Sequence, residues 1–228
     1  MKKMKVLLIN GSPRQHGNTA IALAEIAKQL GHERIESEIV WIGNKPIRGC
    51  IACGQCKAKG LGQCVFDDDI CNRISEKFSE SNALIVGSPV YYGQPNGSLL
   101  SSIQRAFYSN GANISGKPAA SIAVCRRGGA TAVFESLNMP FQMMNMPIVT
   151  SQYWNIVTDV LKVMLPWIQR DSKPCVRWLA TWHGYFIRLM VQRLPDAQTM
   201  KRGKRCISSD DTTMASNDFQ QCGSILCG

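Results

Sequence analysis

The segment Lys5–Thr19, KVLLINGSPRQHGNT, is the stretch that decides the fold. Its apolar first half predicts a buried strand over residues 5–10, which ends at a Gly-Ser-Pro turn. A short polar loop then leads to Asn18 and Thr19, at the start of a predicted helix over residues 18–31. Hydroxyls, amides and backbone N–H groups converge there on the positive end of the helix dipole, an arrangement that attracts a phosphate.

The loop between this strand and this helix differs from two common nucleotide-binding loops. It has no Gly-Lys-Ser/Thr, so it is not an ATP-binding P-loop, and it lacks the three spaced glycines of a dinucleotide fingerprint. With a single arginine, Arg14, among hydroxyls, it suits the terminal phosphate of flavin mononucleotide (FMN). The alternative is an ordinary strand-to-helix turn in which Asn18 or Thr19 caps the helix.

Length and composition indicate a globular protein. The 228 residues suffice for one α/β domain with or without an appendage, and 45% of them are hydrophobic. No run is long and apolar enough to span a bilayer, and the Met-Lys-Lys start leads directly into a strand instead of a signal peptide. We therefore expect a cytoplasmic protein that does not act at a membrane.

Charge and cysteine content point away from two other classes. The net charge of +10 is spread along the chain without the dense Lys/Arg stripe of a nucleic-acid-binding surface, so it more plausibly attracts anionic cofactors. Ten cysteines could suggest a secreted disulfide scaffold. However, the length of the chain and the clustering of Cys50, Cys53 and Cys56 favour metal or redox use in a reducing compartment.

Strands and helices alternate along the next part of the chain. Further strands are predicted at 36–42, 83–89, 120–125 and near 147–152, and helices from Asp68 or Asp69 to about Phe78, from about Ser98 to Tyr108, and around 130–144. This alternation predicts a doubly wound α/β fold with five parallel strands. The special loops all follow strands, so they share the carboxyl edge of the sheet, where ligands bind in such folds.

Three of these loops carry a family resemblance. GSPRQHGNT (11–19), GSPVYYGQPNG (87–97) and RRGG (126–129), in this order and spacing, resemble the flavodoxin-like NAD(P)H-dependent FMN reductases. The resemblance covers residues 4 to about 157 and implies a flavodoxin-like three-layer α/β/α fold. It also implies a role for each loop around FMN.

In such enzymes the first loop holds the flavin phosphate, which here implies Ser12, Arg14, Gly17, Asn18 and Thr19. The second lies against the isoalloxazine ring, which implies Pro89, Val90, Tyr91, Tyr92 and Gly93. The third closes the opposite side, which implies Arg127, Gly128 and Gly129. The alternative for the two tyrosines is aromatic packing at the end of a strand.

A separate loop, GCIACGQCKAKGLGQC, spaces its cysteines as C-x2-C-x2-C-x7-C through Cys50, Cys53, Cys56 and Cys64. Three cysteines two residues apart can bind one face of a [4Fe–4S] cluster, and a fourth completes the set. This spacing is similar to that of the iron–sulfur flavoproteins, a branch of the same superfamily. Tetrahedral zinc and free thiols are the alternatives. Cys71 and Cys125 are interpreted as small core residues.

The resemblance implies an FMN-dependent oxidoreductase that passes electrons from NAD(P)H to a small-molecule acceptor or a redox protein, and that forms a homo-oligomer. Because the flavin carries the chemistry, no catalytic side chain is required. His16 lies in the phosphate loop, and His32 is interpreted as a solvated residue past a helix end. The alternative function is an iron–sulfur flavoprotein acting as an electron-transfer module between proteins.

The chain changes character after Val157, which predicts an FMN-binding domain at 1–157 and an atypical tail at 158–228. The tail has no Glu and three of the five tryptophans. Read with a shifted frame, residues 158–171 can encode GRAEGDVALDPAGL, which resembles the last helix of this reductase family. We interpret the tail as the poorly ordered product of a single-base slip near Thr158, which could leave a non-functional chain. The rival is a genuine amphipathic tail around 175–194 that seeks a membrane surface.

Overall fold

The computed structural model describes residues 4–60, 62–150 and 154–158. Five strands form one sheet: β1 (Lys5–Asn10), β2 (Glu36–Trp41), β3 (Ala83–Pro89), β4 (Ala119–Cys125) and β5 (Ile156–Thr158). Every neighbouring pair is parallel and the order is β2-β1-β3-β4-β5. This is the flavodoxin-like order, with its switch point between β1 and β3, so the predicted fold class is confirmed.

Helices cover both faces of this sheet. They are α1 (Asn18–His32), the short α2 (Gln55–Ala58), α3 (Cys71–Glu80), α4 (Gly97–Ile114) and α5 (Ala130–Met143). Alternate residues of β1 point to opposite faces, as the period of a strand requires. Val6 and Leu8 pack in the cluster that contains the apolar side chains of α1, whereas Leu7 and Ile9 pack in the cluster that contains those of α3, α4 and α5.

The central strands match their predicted positions because their sequences are apolar on both faces. All seven residues of β4 are buried, and in β3 only the terminal Pro89 is partly exposed. Such continuous burial is typical of parallel strands that carry helices on each side. The edge strand β2 is more exposed, in keeping with its alternating sequence.

The prediction for the fifth strand was wrong in its position. Around 147–150 only an isolated bridge forms, between Ile148 and Ala119, and the strand itself lies at Ile156–Thr158. Ile148 and Ile156 are eight residues apart, whereas their partners Ala119 and Ala123 are four apart. The pairing with β4 therefore cannot run continuously from Ile148 to Ile156. The ladder of β5 forms only after the four extra residues of this segment.

Side-chain hydrogen bonds form at the starts of α3 and α4. The Asp69 carboxylate accepts a hydrogen bond of 2.9 Å from the backbone N–H of Cys71, the first residue of α3. The N-cap residue is Ile70, so Asp69 lies one residue before the cap position predicted for it. The Asn96 side chain accepts from the N–H of Ser98 at 2.9 Å and caps α4. Helix α4 continues past its predicted end at Tyr108, through a non-helical residue at Asn110.

The tail prediction concerns residues that the structure does not describe, apart from Thr158. The domain division and the frame slip therefore stay predictions. Within the described ranges, no helix has the length and apolar character needed to cross a membrane.

Candidate functional site: three loops and a cysteine cavity

Asn10, the last residue of β1, shapes the first loop. Its buried side chain accepts a hydrogen bond from the N–H of Ser12 at 3.1 Å and donates one to the carbonyl of Gln15 at 3.2 Å. The Ser12 hydroxyl in turn accepts from the N–H of Arg14 at 3.2 Å. Asn10 thus stabilises a compact turn through hydrogen bonds to the loop backbone. The sequence analysis did not assign this role to it.

Helix α1 begins with a glycine rather than with a capping side chain. Gly17 is its N-cap residue, and no side-chain hydrogen bond caps the helix among the described residues. The alternative in which Asn18 or Thr19 is the capping residue is therefore wrong. Arg14 and His16 are exposed beside this helix start, where their positive or polar side chains favour an anion.

Thr19 and Ser12 are more buried than the other predicted phosphate-loop residues. Thr19 is 2% exposed, and a Cβ added to Gly87 of β3 would lie 2.9 Å from its methyl carbon. Gly11 is equally constrained, since a Cβ there would lie 2.7 Å from the carbonyl oxygen of Gly87. Glycines at both positions let β1 and β3 bring their loops close together at the switch point.

Trp41 at the end of β2 also holds the first loop. Its indole Nε1 donates a hydrogen bond of 2.7 Å to the carbonyl of Ser12. The sequence placed Trp41 on a strand but gave no sign that this contact forms, because the two residues are 29 positions apart.

The second loop is a tight turn that displays an aromatic side chain. Tyr91 and Gln94 exchange two backbone hydrogen bonds of 2.9 Å, and Tyr92 and Gly93 between them have φ values of 50° and 75°. Positive φ at both central residues is the geometry of a type I′ turn. Tyr92 is fully exposed, so the packing alternative is wrong for this residue.

The third loop lies against the second. Gly129 has a φ of 87°, and a Cβ there would lie 3.0 Å from the Cα of Gly93 and 3.2 Å from a methyl carbon of Val90. Arg126, Arg127 and Gly128, just before it, are exposed. The structure therefore brings the predicted second and third loops together at the carboxyl edge of the sheet. Their contact with a flavin stays a prediction.

The four loop cysteines line one cavity. Cys50 and Cys53 are exposed, Cys64 is partly buried, and Cys56 is 7% exposed on α2. With Phe66, Arg105 and Tyr108 among other residues, they line a small cavity that is partly open to solvent. The four cysteines of the motif therefore border one shared space.

The backbone of the cysteine loop is shaped by left-handed residues and by α3. Ala52 and Gly54 have φ values of 54° and 69°, and the N–H of Ala52 donates to the sulfur of Cys50 at 3.4 Å. Asn72 of α3 accepts from the N–H of Cys64 at 2.8 Å and donates to its carbonyl at 2.9 Å. The last cysteine, Cys64, is thereby held by α3, whereas the contact between Cys50 and Ala52 lies within the loop itself.

Arg105 of α4 is the cavity residue that the sequence analysis missed. It is 1% exposed, it forms an ion pair with Asp69, and its Nε has no hydrogen-bond partner in the described part of the chain. Burial lowers the pKa of Arg105, but the adjacent Cys64 thiol and the Asp69 carboxylate hold that pKa above its ordinary value. A sequence signal existed, because Arg105 is the one charged residue in α4.

The donor set of this cavity, four cysteines and a buried N–H group, is of the kind that a [4Fe–4S] cluster requires. Within residues 4–60, 62–150 and 154–158, no three His, Cys, Asp or Glu side chains are grouped closely enough to hold a metal ion. The four cysteines nevertheless line one cavity, next to the Nε of Arg105, a buried donor without a partner among the described residues. A cluster that carries sulfide acceptors supplies what that donor lacks.

The sequence profile of the NADPH-dependent FMN reductases matches residues 4–160. The chain belongs to this family. It is 38% identical over 155 residues to an iron–sulfur flavoprotein of Archaeoglobus fulgidus, a match that covers 68% of this chain and 65% of that protein. It is 32% identical over 149 residues to an iron–sulfur flavoprotein of Methanocaldococcus jannaschii, covering 64% and 76% of the two chains.

Solved structures agree with the fold of this FMN reductase family member. An NADH:FMN oxidoreductase in its apo form aligns with a TM-score of 0.59 and 14% identity, over 87% of this chain and 94% of that one. An archaeal flavodoxin aligns with a TM-score of 0.51 and 12% identity, over 77% and 94%. At such low identity these likenesses bear on the fold alone. By family, the chain is a flavoprotein and an oxidoreductase.

Proposed function

We propose that this chain binds FMN in the three loops and oxidises NAD(P)H, passing the electrons to a small acceptor or a redox protein. The observation that carries the proposal is the convergence of the loops after β1, β3 and β4 at the switch point of the sheet. The contact between Gly129 and Gly93 supports a single site made by two of them. Bound FMN supplies the chemistry, accepting a hydride and releasing electrons one or two at a time.

The chain's own residues have binding and orienting roles in this proposal. The first loop and the N-terminal end of α1 hold the phosphate, with Arg14 supplying a positive charge. The turn at Tyr92 offers an aromatic side chain beside the ring, and Gly93 and Gly129 let the backbone approach it closely. No described side chain is assigned a proton transfer, because the hydride moves between two cofactors.

A second proposed group is a [4Fe–4S] cluster held by Cys50, Cys53, Cys56 and Cys64. The shared cavity and the unpartnered Nε of Arg105 support it. A cluster next to a flavin favours the second candidate function, a one-electron relay between proteins. Small flavodoxin carriers are typically acidic, whereas residues 1–157 contain 16 basic and 10 acidic residues, which favours the reductase.

The test is the visible absorption spectrum of the anaerobically purified full chain, before and after addition of NADPH. Flavin bands that bleach support the reductase, whereas flavin bands that respond to dithionite but not to NADH or NADPH support the relay. A broad additional absorbance that disappears with chelation of iron supports the cluster. A colourless protein that takes up no added FMN contradicts the flavin site.

Substitution of Gly129 by alanine tests the loop contact. The new Cβ meets the Cα of Gly93 in a left-handed conformation, which costs about 1–3 kcal/mol in strain and pushes the two loops apart. We expect FMN affinity to fall by about tenfold or more, measured by fluorescence titration. The matched control is Gly31→Ala in α1, where the added Cβ has no neighbour within 4 Å. Equal affinities in the two variants would contradict the proposed site.

A further inference from the structure

Arg105 fastens both ends of the cysteine loop to α4. Its guanidinium donates to the carbonyl of Arg48 at 3.4 Å, two residues before Cys50. It also donates to the carbonyl of Phe66 at 2.8 Å, two residues after Cys64. One buried side chain therefore ties together the points at which the four-cysteine segment leaves and rejoins the fold.

The hydrogen-bonding capacity of Arg105 is only partly used by the described residues. Asp69 pairs with one terminal nitrogen, and the Asp69 side chain is itself 9% exposed, so the pair lies away from solvent. The Nε group remains without a partner among the described residues, although buried N–H groups in folded proteins are nearly always satisfied. The Cys64 thiol is the neighbouring cysteine sulfur beside the guanidinium.

We propose that Arg105 is a positioning residue for the iron–sulfur cluster, which closes the cysteine loop and donates from Nε to a cluster sulfide or to the Cys64 sulfur. This inference rests on the proposed cluster. Reduction adds negative charge to the cluster, and a buried cation or hydrogen-bond donor stabilises the reduced form. Arg105 accordingly raises the reduction potential of the cluster and slows its loss.

The experiment compares variants of the full chain, reconstituted anaerobically with iron and sulfide. Arg105→Gln removes the cation, and we expect a lower midpoint potential, altered g-values in the electron paramagnetic resonance spectrum and faster release of iron to a chelator. Arg105→Lys keeps the charge without the planar fork, so its potential is expected between those of Arg105→Gln and the unchanged protein.

The matched variant is Asp69→Asn, which leaves Arg105 in place and removes its counter-charge. An amide oxygen can still accept from the N–H of Cys71, so this hydrogen bond at the start of α3 is retained. We expect the midpoint potential to rise, opposite to the effect of Arg105→Gln. If the ion pair between Arg105 and Asp69 were purely structural, the two variants would not shift the midpoint potential in opposite directions, because both break the same contact.

Arg73→Gln removes one positive charge from the exposed face of α3. Because water screens that charge, we expect the midpoint potential to stay unchanged.

If Arg105→Gln fails to fold as apoprotein, judged by circular dichroism, the opposite shifts in potential of Arg105→Lys and Asp69→Asn still test the inference. Loaded Arg105 variants with an unchanged potential and spectrum overturn the inference alone. An unchanged protein that incorporates no cluster, or binds zinc instead, overturns the proposed cluster and the inference with it.

Discussion

At the scale of single residues, burial separates the cysteines into two kinds. Cys71 is fully buried on α3 and Cys125 is 4% exposed at the end of β4, which confirms that both are core residues. Burial raises the pKa of the Cys71 thiol to about 12, and it also raises the pKa of Cys125. Cys50 and Cys53, in contrast, are exposed on the loop.

We expect this difference to appear in alkylation of the native apoprotein. At pH 8, iodoacetamide should label Cys50 and Cys53 within minutes, while Cys71 stays unlabelled because the thiolate is the reactive form. Peptide mapping by mass spectrometry gives the labelled positions, and denatured protein serves as the control for intrinsic reactivity. Native Cys71 labelled as fast as Cys50 would contradict the burial.

The raised pKa of Cys71 also has a consequence for stability. A thiol that ionises in the unfolded chain near its ordinary pKa of 9.0, but only near 12 in the folded protein, favours the folded state below pH 9. That contribution is lost as the pH rises from 9 towards 12. Cys71 thus adds to the alkaline sensitivity of the fold.

At the scale of elements, Glu38 joins three of them. Its carboxylate pairs with Lys77 of α3 and, at 2.9 Å, with Lys5 of β1, so the edge strand β2 is tied to its neighbour and to a helix. Hydrogen bonds from Lys77 and then Lys5 hold the pKa of Glu38 below its ordinary value of 4.5, against the opposing effect of burial.

Glu38→Gln is therefore expected to lower the free energy of unfolding at pH 7 by about 0.5–1 kcal/mol, the upper range for partly exposed pairs. The contribution is present above pH 4.5 and is lost as the pH falls through the lowered pKa. The difference between variant and unchanged protein should thus shrink below pH 4.5. Urea unfolding at several pH values measures it, with exposed Glu76→Gln on α3 as control.

The elements also differ in how well the sequence predicts them. Strands β1, β3 and β4 lie within one residue of their predicted positions. An uninterrupted apolar run between turn residues is typical of a buried strand, and the turn residues mark its ends. The fifth strand depends on which residues of β4 it meets, and no local pattern carries that register. Helix α4 extends six residues past Tyr108 because Asn110, Gly111 and Asn113 tolerate a distorted turn that propensity disfavours.

The candidate site likewise contains residues that local motifs predict and residues that the sequence analysis missed. Ser12, Tyr92 and Gly129 were predicted from local motifs, since turn glycines and hydroxyls are visible in the sequence. Asn10 was missed although its contacts with Ser12 and Gln15 are local. Trp41 and Arg105 act through contacts between distant segments, such as the 57 positions between Arg48 and Arg105. Such contacts follow from the packing of the sheet, so a single sequence does not display them.

At the scale of the whole molecule, the origin of the tail remains the largest open prediction. The family profile matches as far as residue 160, close to the point at which the sequence changes character. We expect resequencing of the coding DNA to reveal a single-base slip near the codon of Thr158, with a frame that restores the family's final helix. A frame without a slip in independent clones would refute the interpretation and return the tail to the amphipathic alternative.

The hydrogen bond from Trp41 to the carbonyl of Ser12 gives the molecule a natural optical reporter. An indole fixed to the loop proposed to hold the phosphate emits light from within a few ångströms of the ligand's anchoring point. Occupancy of that loop can be followed through tryptophan emission without an added label, by comparing the chain with its Trp41→Phe variant. The Trp41 side chain, which holds the first loop in place, thus also reports the binding of a ligand to that loop.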